Sequence, residues 1–508
     1  MKIIIIEDNV ETLGVIRDFV RTIDSAFAVS TYVSGTQLLE QGERLQADLL
    51  ILGYDLGPSV TGTELLHYLE WSDRISAKTQ VIFISNTIEL AKRQAPLRFT
   101  HTHFYEKPVS LGHLEAIIAK VRSIQAVFSS VFYLIDKQKW VAAFNSLQLC
   151  KDNCPADLQH QAWLLECMLL LKLRRYSKVI RRYQLVQDYE WSGLVRLKAL
   201  ASLGQVKGAR HVFNGMAAHD AYYSSALALI NQLLIAAQDE QGSFLPATLK
   251  EGELSLFEHE LKATLSVLNG AAPQAFAFLL NKQRRAKRGS HQAYFFSVAL
   301  LKIGFLQTLK DPGSATTHTL LAHMQSALDM LVNASTGRDK VLNEALWPAL
   351  INAIEKGAHT STLSTTLLVG PEPEAESPIS LLLRIYLHWL ETGEIFLNQL
   401  EVCIDLIERQ GATSRAVCNQ LIFEQMLDLM VTDPKQKLRL NDAVAKRLLK
   451  SAKYDLAAFA FARALHSLPD HAGLQANLGR CLQKLETRQF LSFSHPAEEI
   501  ATGAEKKD

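Results

Sequence analysis

The fold class the sequence predicts is a doubly wound α/β domain with a five-stranded parallel sheet, continued by an all-α helical-repeat solenoid. Three observations predict it. Over the first 125 residues, short apolar runs rich in Ile, Leu and Val alternate with amphipathic stretches. Beyond residue 125 the strand pattern stops, and helical stripes follow one another with short breaks. A spaced pattern of small, aromatic and proline residues then recurs near both ends of the helical part.

The first strand is "KIIIIED", a continuous apolar run suited to a strand covered on both faces. "VETLGVIRDFVRTI" follows and sets Leu13, Ile16, Phe19, Val20 and Ile23 on one helical stripe. The alternation repeats through "FAVSTYVS", "GTQLLEQGERL", "DLLILGYD", "GTELLHYLEW", "QVIFISN", "IELAKRQAP", "HTHFYEKP" and "LGHLEAIIAKVRSI". Five strands alternating with five helices make a parallel sheet, whose polar site forms at the carboxyl ends of the strands. Strand one ends in Glu7 and Asp8, strand three in Gly53, strand four in Ser85, and strand five in Lys107 before Pro108. Adjacent acids suit a hard divalent cation. A hydroxyl and an ammonium on neighbouring strand ends suit phosphoryl oxygens.

Those residues, in that order on those strand ends, resemble the receiver domain of bacterial two-component response regulators, a flavodoxin-like fold, over residues 1–125. The resemblance implies magnesium at Glu7 and Asp8, a phosphoryl-contacting hydroxyl at Ser85, the pocket lysine at Lys107 and a switch aromatic at Phe104. It also implies a metal contact near Asp55, chiefly through the backbone carbonyl. The phosphoacceptor aspartate of the family ends strand three, and both the spacing from Asp48 and the following "YDLGPSVTG" put Gly53 there. Glycine has no side chain to attack a phosphohistidine, so ordinary aspartyl-phosphate chemistry is absent at that position. Asp55 faces the same way, being two residues on, but sits about 6–7 Å further along an extended chain. It is therefore a poor substitute acceptor. With one carboxylate missing, only weak magnesium binding is expected.

From 126 to 356 the sequence reads as helical repeats, 357–378 ("GAHTSTLSTTLLVGPEPEAESP") as a linker or long loop, 379–490 as a second helical block, and 491–508 as a disordered tail. Trp140, Ala143, Leu147, Cys150 and Pro155 share their spacing of three, four, three and five with Tyr454, Ala457, Phe461, Ala464 and Pro469. Weaker copies hold Tyr176, Val179 and Tyr183, then Val206, Ala209 and Phe213, and Leu478–Gly479 follow the last strong one. A small residue lets helices approach, aromatics fill the groove between them, and proline ends the pair. This resembles tetratricopeptide (TPR) repeats, which present surfaces to peptides or partner domains and supply no chemistry. A scaffold or homo-oligomer interface is the alternative use of such helices.

Composition excludes several classes. The 508 residues carry 53 Lys and Arg against 52 Asp and Glu, so no global field draws the chain to nucleic acid or anionic membrane. The N-terminal apolar run is too short for a signal peptide or a span, and a cytoplasmic protein is expected. The six cysteines form no disulfide framework or metal tetrad and are expected as buried thiols. "KQRRAKR" at 282–288 reads as the only dense basic cluster, a weak nucleic-acid candidate in which Lys282, Arg285 and Arg288 share a face. The histidines form no ligand array, with "HTH" at 101–103 placed before strand five. There is no Walker loop, GxSxG or paired catalytic carboxylate outside the pocket, so no enzyme is expected.

Together these features predict a non-enzymatic regulator in a two-component phosphorelay. Its degenerate receiver meets a histidine kinase or phosphotransfer protein, and its repeats bind that kinase or another protein or peptide. The architecture is similar to Vie-type auxiliary regulators, receiver–repeat proteins that restrain a sensor kinase's phosphotransfer. The alternatives are a phosphorylation-switched response regulator using Asp55, and a nucleic-acid-binding regulator acting through 282–288.

Overall fold

The protein is described here by a computed structural model. It describes all residues except 41–43, 57–60, 72, 87, 152, 204, 237–253, 287–290, 312–314, 333–341, 357–376, 396, 410–413, 432–437, 440–441, 447–448, 450–453, 469 and 485–508. Of the linker expected at 357–378, residues 357–376 lie outside the described residues, as do the tail, Arg288 and Pro469, and Ser377 already caps a helix that starts at Pro378.

Five strands, β1 (Lys2–Ile6), β2 (Ala28–Tyr32), β3 (Leu49–Gly53), β4 (Gln80–Ser85) and β5 (Thr102–Glu106), form one parallel sheet in the order β2-β1-β3-β4-β5. Between them run α1 (Val10–Ile23), α2 (Gly35–Glu40), α3 (Gly62–Trp71) and α4 (Ile88–Gln94). The central strands β3 and β4 are buried along their whole length, which is why they read as unbroken apolar runs. Ile3, Ile5, Leu49, Ile51, Ile82 and Ile84 meet Leu13, Ile16 and Val20 of α1 on one face of the sheet. The order switches between β1 and β3, so the carboxyl ends of those strands flank the crevice where a site can form. "HTH" is partly strand: Thr102 and His103 open β5.

The helix expected to close this domain near residue 124 does not stop there. α5 runs from Leu111 to Asp136, capped by Ser110 accepting from the His113 N–H. No glycine or proline interrupts residues 125–136, and Phe128, Val131, Phe132 and Ile135 prolong the buried stripe. The far half of α5 packs with Ala143 and Leu147 of α6 (Trp140–Lys151) and with Leu158, Ala162, Leu165 and Leu169 in and before α7 (Gln159–Lys172). α8 (Tyr176–Val186), α9 (Ser192–Ser202), α10 (Val206–Asn214) and α11 (Tyr223–Ala236) continue the series.

The chain divides into two compact units, one of residues 1–203 and 207–226, the other of 204–206 and 227–508. In the second, α12 (Leu256–Leu268), α13 (Ala272–Arg285), α14 (His291–Lys310), α15 (Ala315–Val332) and α16 (Trp347–Lys356) share one core with α17 (Pro378–Thr392), α18 (Leu397–Arg409) and α19 (Ser414–Met430). That core contains a fully enclosed ion pair between Lys302 and Glu260. α20 (Tyr454–Ser467) and α21 (Ala472–Lys484) pack as a hairpin, with Ala457, Phe461, Ala464, Leu474 and Leu478 buried.

All six cysteines are free: Cys167, Cys403, Cys418 and Cys481 are buried as expected, but Cys150 and Cys154 are half-buried. Among the described residues two helices, Leu111–Asp136 and Gln292–Lys310, are long and apolar enough to cross a membrane by length and composition, which the sequence reading did not anticipate. The second is mostly buried inside the protein, as a core helix is.

Candidate functional site

The residues picked out at the strand ends come together in one pocket. Glu7 follows β1, and its backbone N–H donates to the Tyr32 carbonyl at 3.1 Å. Asn9 then caps α1 by accepting from the Thr12 N–H. On the far side, the Lys107 N–H donates to the Ser85 carbonyl at 3.3 Å, and the Lys107–Pro108 peptide is cis. Ser85 is buried at the end of β4. Phe104 stacks on Phe83 of the neighbouring strand, ring centroids 5.6 Å apart and nearly parallel.

The centre of the pocket is an ion pair. The Lys107 ammonium donates to Glu7 Oε1 at 2.6 Å, and the Glu7 side chain is 1% exposed. Glu7 Oε2 is buried and accepts no hydrogen bond. A Cβ at Gly53 would meet that oxygen at 2.6 Å. The Glu7 carboxylate thus fills the space a side chain on residue 53 would need, and holds Lys107 in an ion pair while doing so. Burial pushes the Glu7 carboxyl above its ordinary range, and the nearby Asp8 adds to the rise while Lys107 opposes it. Gly53 itself does not adopt the left-handed backbone. Its lack of a side chain is explained by space and not by strain.

Asp55 lies beyond the strand end, exposed, bridged to Thr61 opposite. Although the residue is exposed overall, partial desolvation of its carboxyl group, then the charge of Asp8, raises its pKa against the opposing charge of Lys107. α3 begins just after: the Thr61 N–H donates to Glu64 and the Gly62 N–H to the Tyr54 carbonyl at 2.7 Å. Gly62 is needed here, because a Cβ would strike the Gly53 carbonyl. As a magnesium site the set fits poorly. Glu7 is engaged by Lys107, Asp8 and Asp55 are left as a pair, and no metal-holding group of three or more His, Cys, Asp or Glu forms among the described residues.

Among the repeat-signature residues, Ala143, Ala457, Phe461 and Ala464 are buried, Trp140 and Tyr454 half-buried, and Pro155 exposed before a short 3-10 turn. Trp140 stacks on Phe99, which precedes β5. At 282–288, Lys282 lies over the Phe278 ring and Arg284 and Arg285 are exposed at the end of α13.

Two features escaped the sequence reading. His101 and His103 form a ring cluster with His160 of α7, centroids 4.9 and 4.5 Å apart, and Trp191 donates to His160 Nε2 at 2.6 Å. Burial pushes these imidazoles down, His101 to about 2, His103 and His160 to about 4. Beside them Gln161 donates to the Phe99 carbonyl and accepts from the His101 N–H. The second is Asp136 at the end of α5, which accepts from Arg44, Ser76 and the Ala77 N–H. Both join the sheet domain to the helices of its own unit. Neither shows in a linear motif, because the contacts that tie sheet to helices, His101–His160, His101–Gln161 and Ala77–Asp136, span 59 or 60 residues.

Residues 3–119 match the response regulator receiver domain. Such a domain implies a two-component signalling regulator, and receiver domains are typically non-enzymatic modules that commonly bind Mg2+ and meet histidine kinases or phosphotransfer proteins. A largely helical region follows the matched part. No curated protein matches the chain.

Proposed function

We propose that this chain is a signalling regulator whose receiver domain does not accept phosphate, and whose TPR-like helices bind a histidine kinase or another protein partner. The observation that carries the reading is the occupied pocket: Gly53 stands at the acceptor position and the Glu7 carboxylate, held by Lys107, fills the space above it. A phosphoryl group needs a nucleophile, which Gly53 lacks, and an ammonium, which here is already paired with the Glu7 carboxylate. The domain then keeps the receiver's shape for recognition without its covalent switch. The helices of the cytoplasmic chain supply the second contact. Glu7, Asp8 and Asp55 hold magnesium only weakly, because Lys107 already engages Glu7.

The test is labelling with a small phosphodonor in Mg2+, read as hydroxylamine-sensitive phosphate. The parent chain should stay unlabelled. If it labels stoichiometrically and Asp55→Ala abolishes the label, Asp55 is the acceptor and this reading fails.

A further inference from the structure

Between Glu166 and Asp188 the chain holds six cations and no acid. Over residues 172–210 there are ten Lys and Arg against two acids, a surplus of eight in a chain whose total is +1. These cations are spread at helical intervals, so no contiguous basic run announces them. On α8, Lys178, Arg181, Arg182 and Leu185 follow one another at the spacing of a single helix face. All four are exposed, Leu185 by 60%.

The cations around this face are held by aromatic rings. Arg182 lies over Trp163, which Lys151 also covers, and both cations share the buried Glu166. Arg196 lies 4.4 Å from the Tyr183 ring. Rings already covered by cations are not open platforms for stacked bases, which single-stranded nucleic acid uses. The exposed leucine amid positive charge instead suits an apolar anchor flanked by carboxylates.

We propose that the outer face of α8 docks an acidic amphipathic helix of a partner protein, with Leu185 meeting its apolar stripe and Lys178 and Arg181 meeting its carboxylates. This deepens the reading of the helices as a partner surface and does not depend on the state of the Gly53 pocket.

The experiment uses the full chain and a labelled Glu/Leu amphipathic peptide of about four turns. A Gln/Leu counterpart and a uridine-rich single-stranded RNA serve as parallel probes. The Glu/Leu peptide should bind, weaken with added salt, and lose about tenfold or more in affinity in the Lys178→Glu/Arg181→Glu variant, a change of about 1.4 kcal/mol. Both substituted side chains are exposed, and an unchanged melting temperature checks that the variant folds. If the Gln/Leu peptide binds as well and charge reversal changes nothing, the helices bind peptides elsewhere and only this proposal falls. If the RNA binds more tightly through the same two residues, the partner class is wrong. Binding of no peptide at all overturns this face and the peptide-binding reading together.

Discussion

Glu7, Gly53 and Lys107 act as one set, and substitutions there should reveal it. An aspartate at residue 53 meets chiefly the end of a flexible side chain, Glu7 Oε2, with the Asp55 carbonyl and Leu56 at 3.3 Å having to give slightly. Gly53→Asp should therefore fold, push Glu7 outward off Lys107, and gain hydroxylamine-sensitive labelling that requires Mg2+ to offset the added charge. Labelling that is absent, or indifferent to Mg2+, would show that the pocket cannot be reopened. Lys107→Met tests the pair from the other side. It leaves a buried carboxylate alone and should cost about 2–3 kcal/mol, less than a fully enclosed pair because Lys107 keeps some solvent. The Glu7 pKa is raised in the folded state, so that state holds the proton more tightly than the unfolded chain. Stability then falls as pH rises above the ordinary carboxylate range. In the variant the fall should be larger and extend to higher pH, as read from urea midpoints across pH 4–8.

At the scale of elements, α5 is the member that ties sheet to helices. Its last residue, Asp136, is anchored by Arg44, Ser76 and a backbone N–H. Asp136→Ala leaves those donors unpaired and should destabilise the unit by about 2 kcal/mol. Faster amide exchange should appear in residues 126–136, with β3 and β4 unaffected at first. The histidine cluster adds a pH dependence of known sign. Depressed imidazoles mean that the folded state binds fewer protons than the unfolded one, whose histidines titrate near 6.5. Their contribution is full above that pH and is lost as pH falls, towards 4 for His103 and His160 and towards 2 for His101. Lys120 and the neighbouring rings reinforce the burial that causes it. His103→Phe should flatten this acid limb in a denaturation series, and an unchanged slope would count against the cluster as its source.

The two units should respond separately at the scale of the molecule. Glu260 and Lys302 are each 2% exposed, so Glu260→Gln strands a buried ammonium and should cost about 3–5 kcal/mol. In calorimetry this should lower one transition and leave the transition sensitive to Asp136→Ala in place. Both variants moving a single shared transition would show that the units unfold as one.

The sequence by itself determined the five-stranded parallel sheet, the change to helices and the strand-end residues. Each rests on local signals: unbroken runs for buried strands, a 3.6-residue stripe for helices, and a fixed order of strand ends. It also singled out Gly53. It gave a wrong end to the α5 helix, because the apolar stripe continues without a breaker and only the partners of Phe128 and Phe132 show where it leads. It read 282–288 as the only dense basic cluster and passed over the α8 face, whose cations are gathered by helix geometry and not by adjacency. The tertiary structure alone decided that Glu7 turns into the space above Gly53 and pairs with Lys107 across 100 residues. The same holds for His160 meeting His101. The physical reason is that such contacts depend on which strand ends and helix faces are brought together, and on where a buried charge finds its partner. Neither is written in the spacing of any one segment.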